Sequence, residues 1–236
     1  MLPTLKTNYK YYLMEALGLF IFMVAACFFN GMLEHKGSSW NTAIPNPHIR
    51  LFIMATAMAL TAAFIFFSPL TEPSGAFINP AVTLVRWRLN QLSFKDAFWY
   101  MLFQTLGGLV AVYSMAFLMG NILTAPPVNY SVTVPGKNIS TLYAAFMETA
   151  TAFGMMLLVL FTAKHPTLKK YTPVFAAILV GIYVMLAGPV SGFGMNPART
   201  IASAVPAHIY TSFWIYMICP VAGMMLAAEV FLLRKK

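Results

Sequence analysis

Six long apolar runs separated by short polar connections organise the chain: Tyr11 to Met32, Leu51 to Ser68, Phe94 to Gly120, Leu142 to Ala163, Thr172 to Ala187 and Ser212 to Leu233. A bilayer core about 30 Å thick needs about 20 apolar residues per helix, so these runs predict six membrane spans. Two moderately apolar segments are left over, Asn79 to Leu89 and Asn196 to Ala204. At about 1.5 Å per residue they reach only about 16 and 13 Å, roughly half of the hydrocarbon layer. Both begin with Asn-Pro-Ala. Asn is a favoured N-cap, and Pro fits the first helical position, where its missing N–H would be unpaired anyway. Gly75 and Gly192, just upstream, permit the tight backbone that re-entry requires.

The surroundings repeat. Ser74-Gly75 precedes the first Asn-Pro-Ala and Ser191-Gly192 the second, and an intramembrane acid stands in the first helix of each half, Glu15 and Glu148. Each half reads as helix, helix, re-entrant half-helix, helix. Three spans separate equivalent elements, so residues 1–125 and 126–236 are expected to form an inverted repeat, with the half-helices entering from opposite faces. The predicted fold is an all-α membrane protein, six transmembrane helices plus two half-helices in a single transmembrane domain.

Composition agrees. Of 236 residues, 60% are apolar and 9% charged, whereas a soluble domain has about a quarter of its residues charged. That balance excludes a soluble protein, a disordered chain and a porin-type barrel, whose strands give no long apolar runs. The net charge of +9 reflects topology rather than a nucleic-acid partner. Lys6, Lys10, Arg86, Arg88, Lys95, Lys164, Lys169, Lys170, Arg234, Lys235 and Lys236 fall on the side of the termini, against Lys36, Arg50 and Lys137 opposite. Both termini are therefore expected in the cytoplasm. Val24-Ala25-Ala26-Cys27 has the look of a lipoprotein cleavage site, but Glu15 inside the apolar run argues for a retained span. Cys27 and Cys219 lie in apolar stretches and read as inert, and no metal or cofactor is expected.

With both half-helices in place, the chain resembles the aquaporin family of major intrinsic proteins over essentially its whole length. The strings that carry the resemblance are SGAFINPAVTL (Ser74 to Leu84) and GPVSGFGMNPART (Gly188 to Thr200). Glu15, Glu148, Gln104 with Gly107 and Gly108, and WIY at Trp214 to Tyr216 support it. The resemblance implies a homotetramer with one pore per subunit, no enzyme activity, and water and small neutral solutes as partners in a lipid bilayer. Short loops and the basic tail point to a bacterial inner membrane.

Half-helices meeting N-terminus to N-terminus place about half a positive charge each at mid-membrane, a barrier to cations and protons. The motif residues Asn79, Pro80, Ala81, Asn196, Pro197 and Ala198 are expected there, the asparagines aiming amide donors at a passing water. Arg199, a permanent charge near membrane depth without a neighbouring acid in sequence, is expected to face a cavity; the resemblance makes it part of the outer constriction, with Phe193, Val184 and Ala59. Glu15 and Glu148 are expected to accept bonds from backbone N–H groups of the re-entrant loops. Arg86 and Arg88, which follow the first half-helix, are expected at the cytoplasmic mouth as snorkelling interface residues.

Markers of solute choice are mixed. Relative to family members selective for water, Val184 replaces a histidine and Phe193 a small residue, the latter as in glycerol-conducting members. Thr200, Ala204 and Phe213-Trp214 are of the water type. The filter should thus be wider and less polar than that of a strict water channel. Phe77 stands where the family commonly has histidine, near Glu72, Pro69 and Pro73, and marks a possible cytoplasmic constriction that could narrow or dewet the path. Two alternatives are a gated or non-conducting protein of the same fold and a secondary transporter, which would want an ion site at the helix breaks.

Overall fold

The computed structural model describes residues 2–234, which leaves Lys235 and Lys236 of the basic tail outside it. The described residues form helices α1 (Leu2–Glu34), α2 (Ser39–Ala43), α3 (Pro47–Phe67), α4 (Pro80–Arg88), α5 (Phe94–Met119), α6 (Asn121–Thr124), α7 (Thr141–Lys164), α8 (Thr172–Ser191), α9 (Pro197–Ala207) and α10 (Phe213–Leu233). Among them α1, α3, α5, α7, α8 and α10 are long and apolar enough to cross a membrane, so the chain is an all-helical integral membrane protein with six spans.

Boundaries follow caps rather than apolarity. Asn46, Asn79 and Asn196 each precede a Pro and cap α3, α4 and α9 by accepting a backbone N–H through the side-chain oxygen. Helix α1 starts well before Tyr11 because its polar first turns are tied to α5: Asn8 Nδ2 and Tyr12 Oη donate to Asp96 Oδ1 at 2.8 and 2.6 Å. Helix α8 runs past the expected end at Ala187, since Pro189 falls in the last turn and the helix stops only at Gly192, whose φ of 76° is left-handed. Helix α9 likewise extends beyond Ala204 to Ala207, ending on His208 with φ 54°.

Two helix pairs use the same device for close approach. Helix α1 packs on α5 and α7 on α10. A Cβ on Gly107 of α5 would lie 2.1 Å from the Ala16 carbonyl oxygen of α1, and one on Gly223 of α10 would lie 2.3 Å from that of Thr149 in α7. Small residues of this kind let membrane helices associate through backbone contact where lipid removes the hydrophobic drive. Helix α3 meets α8 at Gly181, against Ala55 and Ala59.

These close pairs place one carboxylate beneath each of the two irregular loops. Glu15 Oε1 accepts from Ser74 Oγ at 2.7 Å and Phe77 N at 2.9 Å, and Oε2 from Ile78 N at 2.6 Å and Gln104 Nε2 at 2.7 Å. Glu148 Oε1 accepts from Ser191 Oγ at 2.6 Å and Gly194 N at 2.8 Å, and Oε2 from Met195 N at 2.6 Å. A tyrosine completes each set: Tyr100 Oη donates to Ser74 O at 3.0 Å and Tyr216 Oη to Ser191 O at 2.7 Å. Gln104 also donates to Thr83 Oγ1 of α4 at 3.0 Å; its counterpart position, four residues after Tyr216, is Pro220, so the second set lacks this member. Both carboxylates are fully buried.

Gly107→Leu and Gly223→Leu should each separate a helix pair, seen as loss of the monodisperse peak in detergent; retention of the wild-type elution and melting profile by both would contradict the packing account. Glu148→Ala strands the Gly194 and Met195 N–H groups, at about 1–3 kcal/mol each, and removes the shorter bond of the Ser191 hydroxyl. It should lower the melting midpoint well beyond the effect of Glu148→Gln, which keeps one acceptor oxygen; equal melting of the two variants would refute the acceptor role.

Candidate functional site

The loops held by the two carboxylates carry an unusual backbone. Ala76 and Ile78 in the first, and Phe193 and Met195 in the second, have φ between 44° and 48°, a region costly for residues with a Cβ and seen mainly where surrounding bonds over-determine it. The over-determining bonds are the acceptor sets of Glu15 and Glu148 and a crossed pair between the loops. Asn79 Nδ2 donates to Met195 O at 2.9 Å, and Asn196 Nδ2 donates to Ile78 O at 2.7 Å. The N-termini of α4 and α9 are thereby joined back to back.

Each asparagine is used on both sides. Asn79 Oδ1 accepts from Ala81 N at 2.9 Å; Asn196 Oδ1 accepts from Ala198 N at 3.0 Å and Arg199 N at 3.2 Å. One Nδ2 hydrogen is spent on the opposite loop, and an amide carries two, so each retains a donor. Both asparagines line a cavity of about 570 Å³, which reaches from Leu51 and Gly188 at one end to Phe66 and Thr172 at the other. Leu51 to Phe66 alone spans roughly 22 Å of helix α3. Pro80, Ala81, Pro197 and Ala198 are buried behind the asparagines.

The end distal to the termini is bordered by Arg199, Phe193 and Val184, all on the cavity wall. Phe193 is held edge-on to Tyr183, centroids 5.9 Å apart. Arg199 forms no ion pair among the described residues, and its buried Nη1 has no hydrogen-bond partner. Ala59 is a correction. It is absent from the wall and faces α8, where a Cβ on Gly181 would meet its Cβ at 3.1 Å; the wall residue is Met58, one position earlier. One residue on a helix turns a side chain by about 100°, so Met58 and Ala59 face different neighbours. The α3 wall is therefore Leu51, Met54, Met58, Ala62 and Phe66, a spacing of three and four that marks one helix face.

At the end nearer the termini, Phe77 lines the cavity, its ring tilted against Tyr100 with centroids 5.6 Å apart. Arg88 is exposed and pairs with Glu229 at 2.7 Å. Arg86 lies on the cavity wall at this end, with its guanidinium carbon 5.2 Å from the Phe77 ring centroid. Positions two apart on a helix point to different faces, so one of the two arginines turns inward while the other reaches the surface. Cys27 and Cys219 are buried and free.

Comparisons with known proteins agree with this arrangement. The family described as Major intrinsic protein matches residues 3–231. A probable NIP-type aquaporin of Nicotiana alata is 27% identical over 92% of this chain and 74% of its own length. A probable aquaporin TIP2-2 of Oryza sativa subsp. japonica is 32% identical over 67% of this chain and 62% of its own length. Among solved structures, the aquaglyceroporin from Plasmodium falciparum superposes with a TM-score of 0.79 at 20% identity, covering 95% of each chain. Six spans, two half-helices joined at their N-termini and a family match over nearly the full length lead to one conclusion: this chain belongs to the major intrinsic protein family of membrane channels and is not an enzyme.

Proposed function

We propose that the protein is a passive channel for water whose filter also admits small uncharged solutes such as glycerol, while excluding ions and protons. The observation that carries this reading is the single cavity running past both asparagines, each with a spare amide donor, between the joined N-termini of α4 and α9. A water passing there accepts bonds from Asn79 and Asn196 and is turned away from relaying a proton, and the two helix dipoles raise the energy of any cation. Arg199 adds a fixed positive charge on the wall at the outer end.

The filter comprises Arg199, Phe193 and Val184, with Met58 taking the position first given to Ala59. Its chemistry is one cation and three apolar side chains, which suits a solute that has both hydroxyl and C–H surface. Relatives named as TIP and NIP aquaporins and the structural likeness to an aquaglyceroporin support this breadth without choosing a solute. Pro80, Ala81, Pro197 and Ala198 shape the half-helix starts, and Glu15 and Glu148 act as loop supports rather than ion sites, because their oxygens are already taken by the loops. That use of the carboxylates speaks against a secondary transporter. The halves 1–125 and 126–236 are read as an inverted repeat, since their carboxylate, tyrosine and glycine sets correspond. In the membrane the protein is read as a homotetramer, each chain with its own pore and both termini in the cytoplasm of a bacterial inner membrane.

Stopped-flow light scattering on proteoliposomes tests the reading. Against an impermeant osmolyte the vesicles should shrink much faster than empty ones, and against glycerol they should re-swell; shrinkage at the rate of empty liposomes would overturn it. Arg199→Ala should keep water flux and add a proton or sodium leak, read with an internal pH or sodium dye. Met58→Trp should cut glycerol flux roughly tenfold, equivalent to about 1.4 kcal/mol of barrier, whereas a small polar replacement at Ala59 should leave the selectivity near wild type. The reverse ranking would restore Ala59 to the filter.

A further inference from the structure

The filter at the outer end pairs a guanidinium with an aromatic ring, Arg199 with Phe193. The same two groups recur at the other end of the cavity, drawn from the other half of the chain. Arg86 lies in the last turn of α4 and Phe77 in the loop before that helix, and both line the cavity wall. The guanidinium carbon stands 5.2 Å from the ring centroid, within the range of a cation–π contact. Behind it the ring is braced on Tyr100, whose hydroxyl is in turn bonded to the Ser74 carbonyl. Arg86 Nη1 donates to Gln91 Oε1 at 2.7 Å, which anchors the side chain from the rim.

Two features set Arg86 apart from a residue merely reaching for the interface. Its Nε is buried and has no hydrogen-bond partner, and it makes no ion pair with Glu72, the acid that borders the same mouth. Burying part of a guanidinium without a counter-charge is costly, whereas Arg88, on another face of the same helix, is exposed and pairs with Glu229. Lys169 borders the same mouth and adds a second positive charge.

We propose that Arg86 and Phe77 form a second selective constriction, at the mouth on the side of the termini, which repels cations and passes uncharged hydroxylated solutes. On the wall the ring offers apolar C–H surface and the guanidinium its charge and N–H groups, so the pair recognises the class of solute that the outer filter recognises. A permeant then meets two like filters in series, with the asparagine pair between them. The inference rests on the channel reading and is tested separately from it.

The test uses full-length protein in liposomes, with wild type, Arg86→Leu and Arg86→Lys checked for equal elution by size exclusion. Water, glycerol and sodium or proton fluxes are each measured. Arg86→Leu should raise the cation flux several-fold and lower the glycerol-to-water ratio. Arg86→Lys keeps the charge but loses the planar group, so it should hold cations out while still lowering that ratio. Cation flux and glycerol-to-water ratio unchanged in Arg86→Leu would overturn the proposal, and should that variant fail to assemble, an unchanged ratio in Arg86→Lys would do the same. Wild-type water flux no greater than that of empty liposomes would instead count against the channel reading. In that event a rise in flux on Arg86→Leu still supports Arg86 as an obstruction at this mouth, and no rise overturns it.

Discussion

Backbone N–H groups outside a helix have no partner in a dry membrane, and everything distinctive in this fold follows from how two loops meet that constraint. Non-helical backbone is tolerated at membrane depth only where protein or a cavity satisfies it. Here a buried carboxylate serves each loop: Glu15 takes the N–H groups of Phe77 and Ile78, and Glu148 those of Gly194 and Met195. Remaining strain, visible as positive φ at Ala76, Ile78, Phe193 and Met195, is held by the crossed asparagine bonds. The loops are held because their N–H groups and the carbonyls of Ile78 and Met195 are committed.

That commitment gives the asparagines their chemistry. Asn79 and Asn196 cap their own helices and lock the opposite loop with the same amide, leaving a donor each for the lumen. A side chain fixed through both its oxygen and its nitrogen presents that donor without rearranging, which is what orienting a passing molecule requires. The close approach of α1 to α5 and of α7 to α10, set by Gly107 and Gly223, brings the carboxylates within reach of the loops. Packing two helix turns away thus sets the geometry at the centre of the cavity.

The cavity wall has a different character. Between its two arginines it is lined largely by thioether and aliphatic groups, with Met54, Met58, Met155, Met195 and Met224 among them. Polar contacts are confined to the centre and the ends, so a solute crosses apolar stretches between a few donor sites. Such a wall binds weakly, which conduction needs.

Much of this is legible in the amino-acid order, because membrane burial imposes local rules. Run length gives the six spans, Asn-Pro gives the half-helix starts, and an acid inside an apolar helix announces a partner. The same local rules point Arg199, Asn79 and Asn196 toward a cavity, and the family resemblance adds Phe193 and Val184. Where the reading stops is at questions of rotation and distance. Ala59 and Met58 are neighbours in sequence but lie about 100° apart on a helix, and the rotation of α3 against α8 decides which of them faces the lumen. Arg86 and Arg88 have the same charge and flank one tryptophan, yet only the packing of α4 against α5 and α10 turns Arg86 onto Phe77 and frees Arg88 for Glu229. The tyrosine braces, Tyr100 and Tyr216, reach loops more than 20 residues away in sequence, a contact no local pattern encodes. Sequence by itself determined which segments enter the membrane and which groups must find partners there, since both follow from the cost of unpaired polarity in hydrocarbon. The tertiary structure alone decided which partner each found and which side chains the cavity sees, since that depends on helix rotation and on backbone approach across the bundle.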